Sequence, residues 1–440
     1  MAAGERRDEE HQMARMMTSE EAAGRLGVKV TTLYVYVSRG LLESHPDPSS
    51  RRSLFAVEDV ERLAARSRGG RRTDSRLAVV TTSITLLDER GPVYRGRPAT
   101  ELATTEPFER VAEALWRAEP TEDEPWSPRA FDVPRHLRAR DRLPWATVMS
   151  GAEDPFRADL RPTAVARAAR TLAATLVASL GQPAGDRSGD RSGDRSGHRS
   201  GGVEVPDLVL ADGTRVRGSL AGRLTAALAP ARAPHDRAPH DGAPHDEPAG
   251  VTAAVNAAMV LLADHELATS TLAVRVAAST RADVYDAVLS GLGTSAGTLH
   301  SAASDVVLEL LRNAASDGVE VAMGDAIRRW GSVPGFGHGA YPEGDPRATC
   351  LLALAARLGD DQHRALVEKS VETAAQQGLP PANIDFALAA LASAIDAPPG
   401  AMPALFSIAR VAGWVAHYLE ELEERPLRFR ARAIHTTDTP

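Results

Sequence analysis

The stretch Val333-Pro334-Gly335-Phe336-Gly337-His338-Gly339-Ala340-Tyr341-Pro342-Glu343-Gly344-Asp345-Pro346-Arg347-Ala348 sets one histidine in a glycine-rich loop, with an Asp-Pro-Arg turn close behind. Gly335 and Gly337 let the backbone pass close to a ligand where a side chain would clash. His338 can act as a donor or acid near neutral pH. Arg347 supplies a fork-shaped cation suited to a carboxylate.

Working outward, Asp264-His265-Glu266-Leu267-Ala268-Thr269-Ser270-Thr271 and Gly297-Thr298-Leu299-His300-Ser301 carry two further histidines. Ala382-Asn383-Ile384-Asp385-Phe386 follows Pro380-Pro381, which block a helix, and Asp385 precedes the apolar run Phe386–Ile395. A carboxylate at a helix start is favoured in its ionised form by the local dipole. That suits a general base, and an N-cap aspartate is the alternative reading. Arg410 sits in Phe406-Ser407-Ile408-Ala409-Arg410-Val411-Ala412-Gly413-Trp414-Val415-Ala416, apolar on nearly every side. A guanidinium buried there without a partner costs several kcal/mol, so it needs a carboxylate, either internal or from a substrate. Upstream lie Tyr94-Arg95-Gly96-Arg97-Pro98 and Glu101-Leu102-Ala103.

These six segments, in this order over roughly residues 77 to 434, closely resemble the citrate synthase family, in an actinobacterial-like form. The resemblance implies a mostly helical fold with a large and a small domain. The large domain runs over 77–300 and 401–440, and the small one over 301–400 closes on the substrates. It implies an acyltransferase of the tricarboxylic acid cycle that condenses acetyl-CoA with oxaloacetate and hydrolyses the citryl-CoA intermediate. No cofactor is bound; the coenzyme A thioester is a substrate. Carried over by motif, Asp385 is the base for the acetyl methyl group. His300 hydrogen-bonds the thioester oxygen, and His338 donates to the oxaloacetate ketone. His265, Arg347 and Arg410 bind oxaloacetate, and Gly335, Phe336 and Gly337 meet coenzyme A. A third cation in the family comes from the neighbouring subunit's C-terminal segment. Arg428 is the nearest equivalent and Arg425 the next, so each site would require a homodimer.

The chain departs from the family around these residues. Thr298 replaces a proline, Ser301 and Ala302 replace two glycines, and Ala268 replaces an asparagine. Gly339 follows His338 where arginine or alanine is usual, and Ala387-Leu388-Ala389 replaces small polar residues. If Ser301 or Ala302 needs positive φ, the strain is roughly 1–2 kcal/mol. A loop shift of about 1 Å costs roughly a hundredfold in rate. No acid, base or clamp is deleted. Acetyl-CoA and propionyl-CoA, and hence a 2-methylcitrate synthase, are not distinguished.

Residues 18–68 read as a separate unit. Thr18-x-x-Glu21 is a capping box before a helix Ser19–Leu26, and Gly27-Val28 makes a turn into a second helix ending at Gly40. Arg51–Phe55 reads as the strand of a small wing, and a further helix starts at Val57. This order resembles the winged helix-turn-helix of the MerR and excisionase families. The resemblance places Thr31, Thr32, Tyr34 and Arg39 toward a DNA major groove and Arg51 and Arg52 on phosphates. The alternatives are a packing or dimerisation module without DNA, or a DNA-binding regulator whose degenerate synthase domain senses a metabolite.

The 440 residues suffice for two or three domains. A net charge of -8 argues against a chain-wide nucleic-acid surface. One cysteine, Cys350, excludes an internal disulfide framework and fits a reducing compartment. There is no signal-like opening and no run of 18 apolar residues, so a cytoplasmic protein away from membranes is expected. Residues 1–17 read as a disordered tail. The repeats of Asp-Arg-Ser-Gly in 183–202 and of Ala-Pro-His-Asp in 230–250 read as exposed loops, being too polar to offset the entropy of ordering them. His235, His240 and His245 recur at even spacing in the second tract, but no metal site is assigned.

Overall fold

The computed structural model describes residues 16–26, 30, 33, 37, 42–46, 53–57, 59–60, 80–121, 125–134, 136–181, 205–228, 247–297 and 300–429. Two units divide at Val80 and Thr81.

In the first unit, β1 (Met16–Thr18) leads directly into α1 (Ser19–Leu26). The capping box forms as the spacing predicts: Thr18 N donates to Glu21 Oε2 at 2.8 Å, and Glu21 N donates to Thr18 Oγ1 at 3.3 Å. β3 (Ser53–Ala56) lies between β1 and β2 (His45–Pro46), antiparallel to both. Ala22, Ala23, Leu33, Leu42, Phe55 and Val60 form a small core of their own. The expected tail to residue 17 is therefore too long by two residues, because Met16 and Met17 pair with Ala56 and Phe55. Within the described residues the wing strand covers Ser53–Ala56. Thr31, Thr32, Tyr34, Arg39, Arg51 and Arg52 lie outside the described residues, as do His235, His240 and His245.

The second unit opens with the meander β4 (Thr85–Asp88), β5 (Gly91–Tyr94) and β6 (Arg97–Pro98). It continues through α2 (Ala99–Thr105), α3 (Phe108–Trp116), α4 (Ala139–Ala152) and α5 (Pro162–Leu180). A short hairpin, β7 (Leu208–Val209) and β8 (Arg215–Val216), precedes α6 (Leu220–Leu228). Helices α7 (Glu247–Leu262), α8 (Thr269–Ser279), α9 (Val284–Ser295), α10 (Ala303–Asp317) and α11 (Val319–Trp330) come next. The chain closes with α12 (Pro346–Leu358), α13 (Asp361–Gln376), α14 (Ile384–Ala394) and α15 (Ala401–Leu422). The second low-complexity loop ends earlier than expected, because α7 already starts at Glu247.

Helix α15 is the centre of the core. Every residue from Ala401 to Tyr418 is buried, including Arg410 and His417. A helix buried all round has no solvent face to present and must be wrapped by others; α3, α5, α7, α8 and α9 do this. The main core crosses the expected boundary at 300/301: Val307, Leu308 and Leu311 of α10 and nearly all of α14 join it. A satellite core among α10, α11 and α13 holds Leu310, Ala314, Val319, Met323 and Val333.

Candidate active site

The glycine loop and the Asp385 segment are stapled together by backbone. Gly337 N donates to Pro381 O at 2.8 Å, Asn383 N donates to Gly335 O at 2.9 Å, and Asn383 Nδ2 donates to Gly337 O at 2.9 Å. Gly335 and Gly337 are needed for this turn, with φ of 89° and 82°. Added Cβ atoms there would meet Val307 and Pro380 at 3.0 and 3.1 Å. The loop thus presses on the chain itself, and the Gly337 amide donates to Pro381 O. Phe336 packs on Phe386, ring centroids 5.0 Å apart.

Asn383, not Asp385, caps α14: its Oδ1 accepts from Asp385 N at 3.0 Å and Phe386 N at 3.3 Å. The N-cap reading of Asp385 therefore does not hold, and its carboxylate is left without a hydrogen-bond partner among the described residues. Burial pushes its pKa up to about 6, opposed by Arg347 and reinforced by Asp345. Desolvation, which favours the neutral carboxyl, outweighs the helix-start position, which favours the ionised one.

Asp345 organises the cation. It caps α12 through Arg347 N at 3.1 Å and grips the guanidinium with both oxygens, at 2.9 Å from Nε and 2.8 Å from Nη2. Its Oδ2 also accepts from Ile384 N at 3.1 Å, tying Arg347 to the helix of Asp385. Arg347 therefore enters the site already paired. The sequence showed Asp345 only as part of a turn; its Asp-Pro order, a cap followed by proline at the first helical position, was the available signal.

The three histidines sit in different hydrogen-bond settings. Ala340 N, which can only donate, points to His338 Nδ1 at 3.1 Å, so the proton of neutral His338 resides on Nε2. Ser270 Oγ lies 3.0 Å from His300 Nε2 and receives the Trp414 indole N–H at 3.3 Å. Among the described residues that hydroxyl's proton has no other acceptor, so it donates to His300 and leaves the imidazole proton on Nδ1. Burial, then Arg410, lowers the His300 pKa to about 4. Burial, then Arg347, also lowers His338. His265 is held far below the usual histidine range by burial, Arg347 and Arg410. All three are neutral at physiological pH, so they act as hydrogen-bond donors rather than as cations.

The His265 loop is pinned from several sides. The Tyr94 hydroxyl shares its proton between the Val260 and Asp264 carbonyls, each 3.0 Å away, and accepts from Asp264 N. Arg410 Nε donates to Leu262 O at 2.7 Å, and Gly413 N donates to Ala263 O at 2.9 Å. No side chain fits at Gly413: a Cβ there would fall 2.6 Å from Ala263 O and closer still to Asp264 Oδ1. Burial would raise the Asp264 carboxyl, but His417 and Arg410 hold it below the usual range.

Arg410 is buried at 2% exposure and has Leu262 O as its hydrogen-bond partner and the Phe406 ring beneath it, 4.6 Å to the centroid. Among the described residues no carboxylate forms an ion pair with it. The internal carboxylate Asp264 acts on it through space.

Arg428 stands elsewhere. Its Nε and Nη2 grip Glu421 at 2.7 and 2.5 Å, and Glu421 also receives the buried Arg275 at 2.9 Å. Within the chain its fork is spent on Glu421, and Arg425 is exposed. The feared strain at Ser301 and Ala302 is absent, since neither has positive φ and Ala302 lies at φ -76°. Ser301 instead donates to Ser295 O at 2.7 Å. Thr298 lies outside the described residues. Residues missed by sequence reasoning are Tyr341, Ser270 and Asn383, whose hydrogen bonds cross between segments.

Residues 75–432 match the family model described as "Citrate synthase, C-terminal domain". Over 189 residues the chain is 36% identical to the citrate synthase of Synechocystis sp., covering 41% of this chain and 47% of that protein. It is 36% identical over 186 residues to that of Haloferax volcanii, covering 41% and 48%. In these comparisons the chain spans about half the length of the curated relatives it matches. Its fold is similar to the citrate synthase of Thermotoga maritima, with a TM-score of 0.60, 23% identity, and coverage of 84% of this chain and 96% of that one. It is also similar to the citrate synthase of Thermoplasma acidophilum in ternary complex with carboxymethyl coenzyme A and oxaloacetate, with a TM-score of 0.60, 21% identity, and coverage of 83% of this chain and 95% of that one.

Proposed function

Because this chain belongs to the citrate synthase family, we propose that it condenses acetyl-CoA with oxaloacetate and hydrolyses the resulting citryl-CoA. The observation that carries this reading is the Asp385 carboxylate, without a hydrogen-bond partner among the described residues and raised to about 6 by burial. Such a group ionises below neutrality yet binds a proton strongly for a carboxylate, as a base for a weak carbon acid must. Asp385 takes a proton from the acetyl methyl group while His300 Nδ1–H hydrogen-bonds the thioester oxygen. The enol carbon attacks the oxaloacetate ketone. His338 Nε2–H polarises that ketone and gives its proton to the forming alkoxide, and the proton taken by Asp385 returns to His338 through solvent. Arg410 and Arg347, with His265, hold the oxo acid. Water then cleaves the thioester and releases coenzyme A thiol and citrate.

Thiol release should require both substrates, and Asp385→Asn should lower turnover by orders of magnitude while the oxo acid still binds. Release from acyl-CoA alone, or retained turnover in the variant, would remove Asp385 from the mechanism. Initial rates with acetyl-CoA and propionyl-CoA distinguish citrate from 2-methylcitrate synthesis. Gly335, Phe336 and Gly337 remain the proposed coenzyme A contacts, and a homodimer in the cytoplasm the proposed working form, with Arg428 released from Glu421 to reach its neighbour.

A second reading draws on the first unit, where a capped helix follows the first strand of a three-stranded antiparallel sheet and the unit has its own core. We propose this unit as a winged helix-turn-helix that binds DNA. A two-fold dimer would present two copies to a palindromic site. The protein should then bind its own upstream region with a Kd of about 10⁻⁸ M or tighter at physiological salt. Arg51→Ala with Arg52→Ala should flatten the salt dependence. Absent or sequence-independent binding rejects this reading.

A further inference from the structure

Tyr341 is buried at 4% exposure between the groups assigned to the oxo acid, yet neither the motif reading nor the mechanism gives it a task. Its hydroxyl lies 3.0 Å from His265 Nε2. Its ring stacks on His338, centroids 5.0 Å apart at an interplanar angle of 27°. The Arg347 guanidinium rests over the same ring, 5.3 Å from the centroid. His265 and His338 meet edge to face at 5.1 Å. One side chain therefore touches three of the four groups that would hold the oxo acid. His300, on the acyl-CoA side, instead meets Ser270 and Phe406.

We propose that Tyr341 is a positioning residue for the oxo acid half of the site: its phenol donates to His265 Nε2, so that His265 presents Nδ1–H to a small 2-oxo dicarboxylate. The hydroxyl has one hydrogen-bond partner among the described residues, His265 Nε2. A buried O–H left without an acceptor is costly. If the imidazole donated instead, the phenol proton would have no acceptor. If the phenol donates, that proton is used and one imidazole N–H remains for a ligand. Burial raises the Tyr341 hydroxyl to about 12, so it keeps its proton throughout the working range. His265 is neutral, so it has one nitrogen free to accept. The ring below does a second job. It fixes His338 by stacking and gives Arg347 a face to rest on, while Asp345 grips that guanidinium from the other partner atoms.

The substrate role rests on the proposed function, whereas the proton placement does not. Two variants separate hydroxyl from ring. Tyr341→Phe keeps the stack and the cation contact and removes the O–H. Tyr341→Leu removes all three. In Tyr341→Phe the KM for the oxo acid should rise about tenfold, the loss of one well-placed hydrogen bond, with the KM for acyl-CoA unchanged within about twofold. Tyr341→Leu should raise the oxo acid KM further, because His338 and Arg347 lose their support. Nitrogen-15 NMR of the imidazoles, with His265 assigned by its loss in His265→Gln, should show the Nδ1–H form in the wild-type protein and a mixture in Tyr341→Phe. Equal changes in both KM values would mean a merely structural residue. An unchanged oxo acid KM in Tyr341→Phe, or Nε2–H on wild-type His265, would overturn the proposal. If the wild-type protein turns nothing over, the proposed function fails, and the NMR result still decides the proton placement.

Discussion

Asp385→Asn should make this protein more stable while stopping its chemistry, and the two effects have the same origin. The carboxylate is pushed from 3.8 to about 6 by burial, which penalises the ionised form by about 3 kcal/mol. A group whose folded pKa is raised holds its proton better in the fold than in the unfolded chain. Its contribution is therefore favourable below about pH 4 and is lost as pH rises through about 6. Asparagine has nearly the same shape and never ionises. At pH 7.5 the variant should gain up to about 3 kcal/mol, which for a unit of this size is about 4 °C in Tm. Near pH 4 the gain should vanish. Turnover of the wild-type protein should fall as pH drops through about 6, as the base becomes protonated. Melting curves of both proteins at pH 4 and 7.5, together with a pH–rate profile, read all of this. A variant no more stable than the wild type at pH 7.5 would refute the argument, because it would mean the charge is compensated by a partner.

Ser270→Ala removes the donor to His300 Nε2 and should lower kcat/KM for acyl-CoA about tenfold, leaving the oxo acid KM unmoved; unchanged kinetics would void the proton assignment on His300. Gly413→Ala forces a Cβ against Ala263 O and Asp264 and should cost about 1–3 kcal/mol, measured as a fall in denaturation midpoint. A midpoint equal to wild type would show that α15 can move away from the His265 loop freely. Saturating oxaloacetate should raise the Tm of the wild-type protein but not of Arg410→Gln, since the ligand carboxylate is the proposed partner of that buried cation. Activity should survive exhaustive EDTA treatment, because polarisation is assigned to histidines; loss restored by a divalent ion would contradict it.

Much of this was legible along the chain because the signals are local. The Thr18–Glu21 box spans one helical turn, and it forms as written. The run around Arg410 is apolar on every face, which foretells a wrapped central helix and a cation in need of an anion. Gly335 and Gly337 announce positive φ, and both adopt it. The order of the six motifs carried the family. What the linear order could not decide is which groups are already spent on one another. Tyr94 reaches Asp264 across 170 positions, Ser270 meets His300 and Trp414, and Asp345 binds both Arg347 and the start of α14. Arg428 looked available as a clamp until Glu421 was found holding it. Asp385 looked ready to cap its helix until Asn383 took that place. A hydrogen bond has few donors and acceptors to share, and a pKa depends on water excluded from all sides. Both are properties of the packed neighbourhood, so tertiary structure alone could assign the protons and leave Asp385 free.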